Sequence, residues 1–332
     1  MFFDSDSLLP AVERVMNEIV EGSDPAAIIA REHLGTGGKR LRARLALEMA
    51  ARLGIEPGVA VPWAAACELL HNATLVHDDL QDGDEVRRGQ PTAWVRHGPA
   101  QAINAGDLMW MAPIAAVDHS EVEPTLKWLL AKTVGRYGLE VVRGQATEWS
   151  MSASFDATWD TYLMSIRGKT SALFRLPVVG SALLAGLTEE QAEVLAGVFA
   201  EVGLVFQMQD DVLDLFGSKG RAELGADLYE GKLSALVVAH IEISPDAKKS
   251  LRDFLAKPRA ETDPGEVDAW IETFRTGGAL KAVCERIMTL SHAVAADPIL
   301  EKYPEVMTLQ AELIALVLEP ISHVMESLGL SR

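Results

Sequence analysis

Apolar residues recur at the three-to-four spacing of an α-helix along almost all of this 332-residue chain, and runs that alternate as strands do are nearly absent. Alanine- and leucine-rich stretches with this period predict helices over 11–20, 41–53, 59–79, 126–149, 188–215 and 309–328. Turn chemistry separates them at 54–58 (Gly-Ile-Glu-Pro-Gly), Gly83, 89–91 (Gly-Gln-Pro), Gly186 and 263–265 (Asp-Pro-Gly). No Pro-, Ser- or Gly-rich linker divides the chain, so the expectation is an all-α protein with a single domain over 1–332.

Two acidic clusters interrupt the apolar helices. Asp78-Asp79-Leu80-Gln81-Asp82 and Asp210-Asp211-Val212-Leu213-Asp214 repeat one pattern, Asp-Asp-x-x-Asp. On a helix, residues four apart share a face, so Asp78 with Asp82, and Asp210 with Asp214, each aim two carboxylates one way. A single copy is as readily a solvated helix face. Here Leu69-Leu70 and Leu75-Val76 precede the first copy, and Val202 to Phe206 the second, so both end helices of buried character. Repelling carboxylates in such a place are explained by a bound cation, and an all-oxygen donor set points to Mg²⁺. Magnesium completes its shell with water and substrate phosphate, so the two clusters predict a clamp for a diphosphate.

Positive charge is concentrated at two places in a chain of formal charge −18. Gly37-Gly38-Lys39-Arg40-Leu41-Arg42 opens a predicted helix, where free N–H groups and cations suit an anion. Arg87-Arg88-Gly89-Gln90-Pro91-Thr92 forms a turn just after the first acidic cluster, and arginine forks match diphosphate oxygens. A basic pair alone is more often a solvated turn; its position beside the carboxylates favours phosphate binding.

With these segments in order from Gly37 to Lys232, the chain resembles the trans-isoprenyl diphosphate synthases of the polyprenyl synthetase family. The two aspartate motifs, Gly37 to Arg40 with Arg42 beyond it, Arg87 to Thr92, Lys169-Thr170, and His71 seven residues before Asp78 carry the resemblance. It implies an all-α helical bundle of the isoprenoid synthase type with a central active-site cavity, acting as a homodimer. It also implies a Mg²⁺-dependent condensation of isopentenyl diphosphate with an allylic diphosphate, with three Mg²⁺ per site. Candidate metal ligands are Asp78, Asp79, Asp82, Asp210, Asp211 and Asp214. Lys39, Arg42, His71 and Arg88 would hold isopentenyl diphosphate. Arg87, Lys169, Thr170, Gln207 and Lys232 would serve the allylic diphosphate, with Asp78, Asp82, Asp210 and Lys169 as the catalytic set. Alone, His71 reads as a core histidine, and Gln207 reads equally well as a partnered polar residue between helices. The sequence departs from the family at Gly220-Arg221-Ala222-Glu223-Leu224-Gly225-Ala226-Asp227, where a lysine of the family pattern is out of step and Arg221 or Lys219 stands nearby.

The resemblance places the growing tail beside the helix that carries the first motif. Ala73 and Thr74, fifth and fourth before Asp78, put no bulk there, and Leu70, Cys67, Ala66 and Trp63 follow down the same stripe. Met109, Trp110 and Met111 are a second set of possible plugs, and ordinary core packing is the competing reading for all the bulky ones. The expectation is a product of twenty carbons or longer. A terpene cyclase on the same scaffold and a non-catalytic subunit of a heteromeric synthase are the alternatives; the retained second cation set opposes the first, and both aspartate motifs oppose the second. Two cysteines provide no disulfide framework, the start Met1-Phe2-Phe3-Asp4 lacks a basic region and apolar core, and no apolar run approaches a spanning helix. A cytoplasmic enzyme with no stable membrane insertion is expected, and the acidic balance disfavours nucleic acid.

Overall fold

The computed structural model describes residues 4–217 and 224–330. It is all-α apart from one two-residue β-hairpin. In chain order the helices are α1 (Leu9–Ile19), α2 (Pro25–Gly35), α3 (Leu41–Arg52) and α4 (Pro57–Gln81), followed by strands β1 (Val86–Arg87) and β2 (Gln90–Pro91). Then come α5 (Ala93–His97), α6 (Pro99–Asp118), α7 (Pro124–Ser154), α8 (Trp159–Ile166), a π-helical turn (Arg167–Ser171), α9 (Ala172–Leu184) and α10 (Glu189–Phe216). The remainder is α11 (Ala226–Tyr229), α12 (Ala235–Ile243), α13 (Lys248–Leu255), α14 (Pro264–Thr276), α15 (Ala279–Ala295), α16 (Pro304–Leu318) and α17 (Ser322–Ser327). Five of the six predicted helices are present with shifted ends. The sixth, 309–328, is broken: α16 stops at Leu318 and a 3₁₀ turn over Glu319–Ile321 precedes α17, because Pro320 cannot donate to the helical ladder. The predicted turn at 263–265 is a helix start, in which Asp263 accepts from the Glu266 N–H and Pro264 occupies the first helical position.

The chain divides into two compact units. The first comprises residues 4–139, Leu173–Gly197 and Tyr303–Leu309. Its middle is α4, in which every residue from Val61 to Leu70 is buried. Trp63, fully buried, donates its indole N–H to the Pro177 carbonyl of α9 at 3.1 Å and lies on Gly180, where an added Cβ would come within 1.9 Å of the ring. Farther along α4, His77 packs on Gly106 of α6 and stacks with Trp110 at 6.3 Å.

The second unit comprises Glu140–Ala172, Val198–Lys302 and the chain from Gln310. Its core gathers Phe155, Tyr162, Leu204, Met208, Val212, Leu236, Phe254, Phe274 and Ile287. Here α7 approaches the π-helical turn backbone to backbone: a Cβ on Gly144 would come within 2.3 Å of the Lys169 nitrogen. On the other side Gly203 of α10 meets Ser171, whose hydroxyl donates to the Ala200 carbonyl at 2.8 Å.

The expectation about apolar runs needs correction. Both α4 and α10 are long and apolar enough to span a membrane by composition, each with a mean hydropathy of 1.2 over eighteen residues. Burial explains them instead, most clearly in α4, where 83% of that window is inside the protein.

Candidate active site

The first aspartate motif closes α4. Asp78 and Asp82 are half-buried, whereas Asp79 is 1% exposed and takes the Arg87 Nε–H on one oxygen, leaving Oδ2 without a partner. Burial pushes the Asp79 carboxyl up to about 6, against the pull of the Arg87 charge. The hairpin is what delivers Arg87. Arg88 and Gly89 form its tight turn at φ 52° and 73°, and the paired strands carry the arginines back toward the start of α3.

Arg88 lies over the glycine pair. It donates to the Gly37 carbonyl and to the Thr36 hydroxyl at 3.2 Å, and a Cβ on Gly38 would come within 2.6 Å of its Cζ. Gly38, at φ 130°, is therefore required both for its backbone and for the seat of the guanidinium. Arg42 is buried over the Phe174 ring at 5.0 Å, and Lys39 is exposed. Burial and the charges of Arg42, Arg87 and Arg88 hold the His71 pKa well below its ordinary value. A neutral imidazole thus stands among three guanidiniums, its Nδ1 without a protein partner. Arg40, adjacent to these, is a different kind of residue: 5% exposed, it donates to the Leu34 carbonyl at 2.7 Å and to Glu13 at 3.3 Å.

In the second unit the π-helical turn presents Lys169 and Thr170. Lys169 Nζ meets Glu148 at 2.8 Å, and Thr170 donates to Gln207 Oε1 at 2.7 Å. Gln207 in turn donates to Asp211 at 3.0 Å, so both ends of its amide are engaged. Asp211 also accepts from the Tyr162 hydroxyl at 2.8 Å and the Ala235 N–H at 2.7 Å. Burial nevertheless pushes its carboxyl up to about 6. Asp214, 1% exposed, accepts from the Asp227 N–H, while Asp210 is half-buried. Lys232 meets Glu230 at 2.6 Å and Asp227 at 4.0 Å. Arg221 and Lys219 lie outside the described residues.

Within each motif, then, the acidic residues divide by environment. Asp79, Asp211 and Asp214 are buried and bound by protein donors; Asp78, Asp82 and Asp210 keep contact with solvent. Among the described residues, no three His, Cys, Asp or Glu side chains are grouped to hold a metal by themselves. The half-buried members of the motifs offer carboxylate oxygens, a donor type that suits Mg²⁺, which takes one or two carboxylates and fills its shell with water and phosphate. Sequence reasoning did not reach Tyr162, Glu148 and Glu230, since a lone tyrosine or glutamate carries no spacing signal.

The sequence profile described as Polyprenyl synthetase matches residues 27–274. This chain belongs to the polyprenyl synthetase family. It is 35% identical over 272 residues to the short chain isoprenyl diphosphate synthase of Methanocaldococcus jannaschii, covering 79% of this chain and 80% of that one. It is 31% identical to the geranylgeranyl diphosphate synthase of Methanosarcina mazei, with coverage of 77% and 82%. A crystal structure of geranylgeranyl pyrophosphate synthase superposes with a TM-score of 0.84 at 27% identity, covering 95% of this chain and 97% of that one. As a polyprenyl synthetase the chain is a prenyltransferase, of a family that condenses isopentenyl and allylic diphosphates and is generally Mg²⁺-dependent. Within this polyprenyl synthetase, Ala73 and Leu70 are fully buried on α4 and the Thr74 hydroxyl donates to the His71 carbonyl at 2.7 Å. Met109 is buried, Trp110 is half-buried against His77, and Met111 is 62% exposed on α6, which removes Met111 from the candidate plugs of its own chain.

Proposed function

We propose that this prenyltransferase extends an allylic diphosphate by isopentenyl units to twenty carbons or more, as a cytoplasmic homodimer with a single catalytic domain per chain. The observation that carries the two-substrate reading is the cation set around His71. Arg42 and Arg88 bear on that neutral imidazole, and Arg88 lies on the Gly37-Gly38 backbone. Such a pocket suits a diphosphate that is retained, not ionised, and a cyclase acting on one diphosphate has no use for it.

Asp78, Asp82 and Asp210 are the proposed Mg²⁺ ligands for the allylic diphosphate, three ions per site. Mg²⁺ held by these carboxylates would supply charge neutralisation for a departing diphosphate, the condition for ionisation of the allylic carbon–oxygen bond. Asp79 fixes Arg87, Asp214 fixes the start of α11 and Asp211 the start of α12, so these three are proposed to serve by holding other groups in place. Arg87, Lys169, Thr170, Gln207 and Lys232 are proposed to meet the allylic diphosphate, with Lys169 and Lys232 exchanging Glu148 and Glu230 for phosphate oxygens. Lys39, Arg42, His71 and Arg88 hold isopentenyl diphosphate with its double bond against the allylic cation, where positioning supplies much of the acceleration. His71, kept neutral, can donate one hydrogen bond to a phosphate oxygen without adding charge. A proton then leaves to give a chain one isoprene unit longer, and the released diphosphate is the proposed base.

Incubation with an allylic diphosphate and Mg²⁺, with and without isopentenyl diphosphate, tests this. The account expects a longer prenyl diphosphate only when both substrates are present. A hydrocarbon formed from the allylic substrate alone favours cyclisation, and inactivity relieved by a related subunit favours the heteromeric reading.

A further inference from the structure

We propose that Glu68, one of the buried residues of α4, is a positioning residue for the isopentenyl diphosphate pocket; this rests on the assignment of Lys39 and Arg42 to that pocket. Glu68 is 1% exposed in a stretch of α4 whose neighbours Ala64, Ala65, Ala66, Cys67, Leu69 and Leu70 are fully buried. A carboxylate in such a place needs compensation from charge and hydrogen bonds. It finds them at the mouth of α3. Oε2 accepts the Ala43 N–H at 3.1 Å, Oε1 accepts from Asn72 Nδ2 at 3.2 Å, and Arg40 Nη1 lies 3.9 Å away.

Helix α3 lacks a cap of its own. Arg40 occupies the N-cap position in left-handed conformation, φ 50° and ψ 39°, and no neighbouring side chain along the chain accepts from the first-turn N–H groups. A capping side chain ordinarily accepts from the second or third helical residue, and Ala43 is the third. Glu68 thus supplies from another helix the acceptor that the glycine-rich entry cannot, and places negative charge at the positive end of the α3 dipole. The same carboxylate stands beside the buried Arg40, which is also held by Glu13 of α1 and the Leu34 carbonyl of α2. Lys39 and Arg42 flank this pinned segment. Gly37 and Gly38 both stand at positive φ, so the entry to α3 carries no capping side chain, and the placement of Lys39 and Arg42 depends on contacts from outside it, such as that of Arg42 with Phe174. Glu68 and Arg40 hold the segment from beneath.

The test compares apparent KM values for the two substrates in Glu68→Gln and Glu68→Asp. The first keeps the shape and removes the charge; the second keeps the charge beside Arg40 and withdraws it from the Ala43 N–H. Each is expected to raise KM for isopentenyl diphosphate about tenfold, while KM for the allylic diphosphate changes by less than about twofold. Val12→Ala, a buried change in α1, lowers the thermal midpoint and should leave the ratio of the two KM values unchanged. If Glu68→Gln does not fold, Glu68→Asp decides. Equal changes in both KM values, or no change beyond that of Val12→Ala, would overturn the proposal. Arg42→Ala in parallel separates the two levels: a selective loss there with none in the Glu68 variants refutes the positioning role alone, and no selective loss in Arg42→Ala refutes the pocket assignment beneath it.

Discussion

Asp79 and Asp78 are neighbours in sequence and opposites in environment, one sealed against Arg87 and the other open to solvent. The account assigns the chemistry to the open member of each motif, so Asp78→Ala and Asp210→Ala should each lower turnover by a factor of about a thousand or more at saturating Mg²⁺, with the helical circular dichroism retained. Near-wild-type turnover in either variant contradicts the assignment. The buried histidines carry a second expectation. Burial pushes His33 down to about 3 and holds His71 well below its ordinary value, so both are neutral in the folded protein. In the unfolded chain they take up protons below about pH 6.5. The unfolded state therefore binds more protons between about pH 3 and 6.5, and stability, complete above that window, is lost as pH falls through it. From pH 6.5 to 5 the loss is about 2 kcal/mol for His33, and His71 adds a loss of the same sign. Urea midpoints at pH 5 and pH 7.5 check it: His33→Asn should narrow the gap between them, and an unchanged gap contradicts the sign. At this scale the sequence was most informative where residue types cluster, as in the aspartates and arginines. It could not distinguish Asp78 from Asp79, because that difference depends on burial and on the hairpin, which brings Arg87 onto Asp79.

Long amphipathic helices were legible from their period, and α3, α4, α7 and α10 lie close to where the pattern put them. Other elements were not, the π-helical turn and the break at Pro320 among them. The π-helical turn that presents Lys169 and Thr170 depends on backbone contact with Gly144 and Gly203, residues distant in sequence, and glycine spacing alone does not reveal which backbones meet. The break at Pro320 was hidden by the apolar period that continues on both sides of it. Helix α4 also carries the expectation about product length. Ala73 is fully buried with a small side chain, and the next large obstruction down its stripe beyond Leu70 is Trp63, seated on Gly180. A phenylalanine at 73 introduces a ring beside the proposed tail, at a cost of about 1–3 kcal/mol in a packed site. Ala73→Phe should therefore shift the main product toward fifteen carbons. An unchanged product distribution places the tail elsewhere.

At the scale of the whole molecule, an apolar face remains open on the first unit. Ile103, Met111 and Ile114 recur at helical spacing on α6, and Trp128, 72% exposed, with Leu139 on α7. A second copy of the chain is the proposed cover. Light scattering should give twice the 35.9 kDa chain mass, and Ile114→Glu should shift it toward monomer; a wild-type monomer at micromolar concentration contradicts the homodimer. The family was readable from the order of six short motifs, and the comparisons agree with it. Product length was not readable with the same force, since it depends on which buried side chains border the tail and not on a motif. The most direct measurement is chromatography of the dephosphorylated products made by the wild-type chain from an allylic diphosphate, isopentenyl diphosphate and Mg²⁺. The account predicts prenyl alcohols of twenty carbons or longer, formed only with both substrates and lost on chelation of the metal. A main product that stops at fifteen carbons contradicts the reading of the Ala73 stripe, and a product that forms without isopentenyl diphosphate contradicts chain elongation itself.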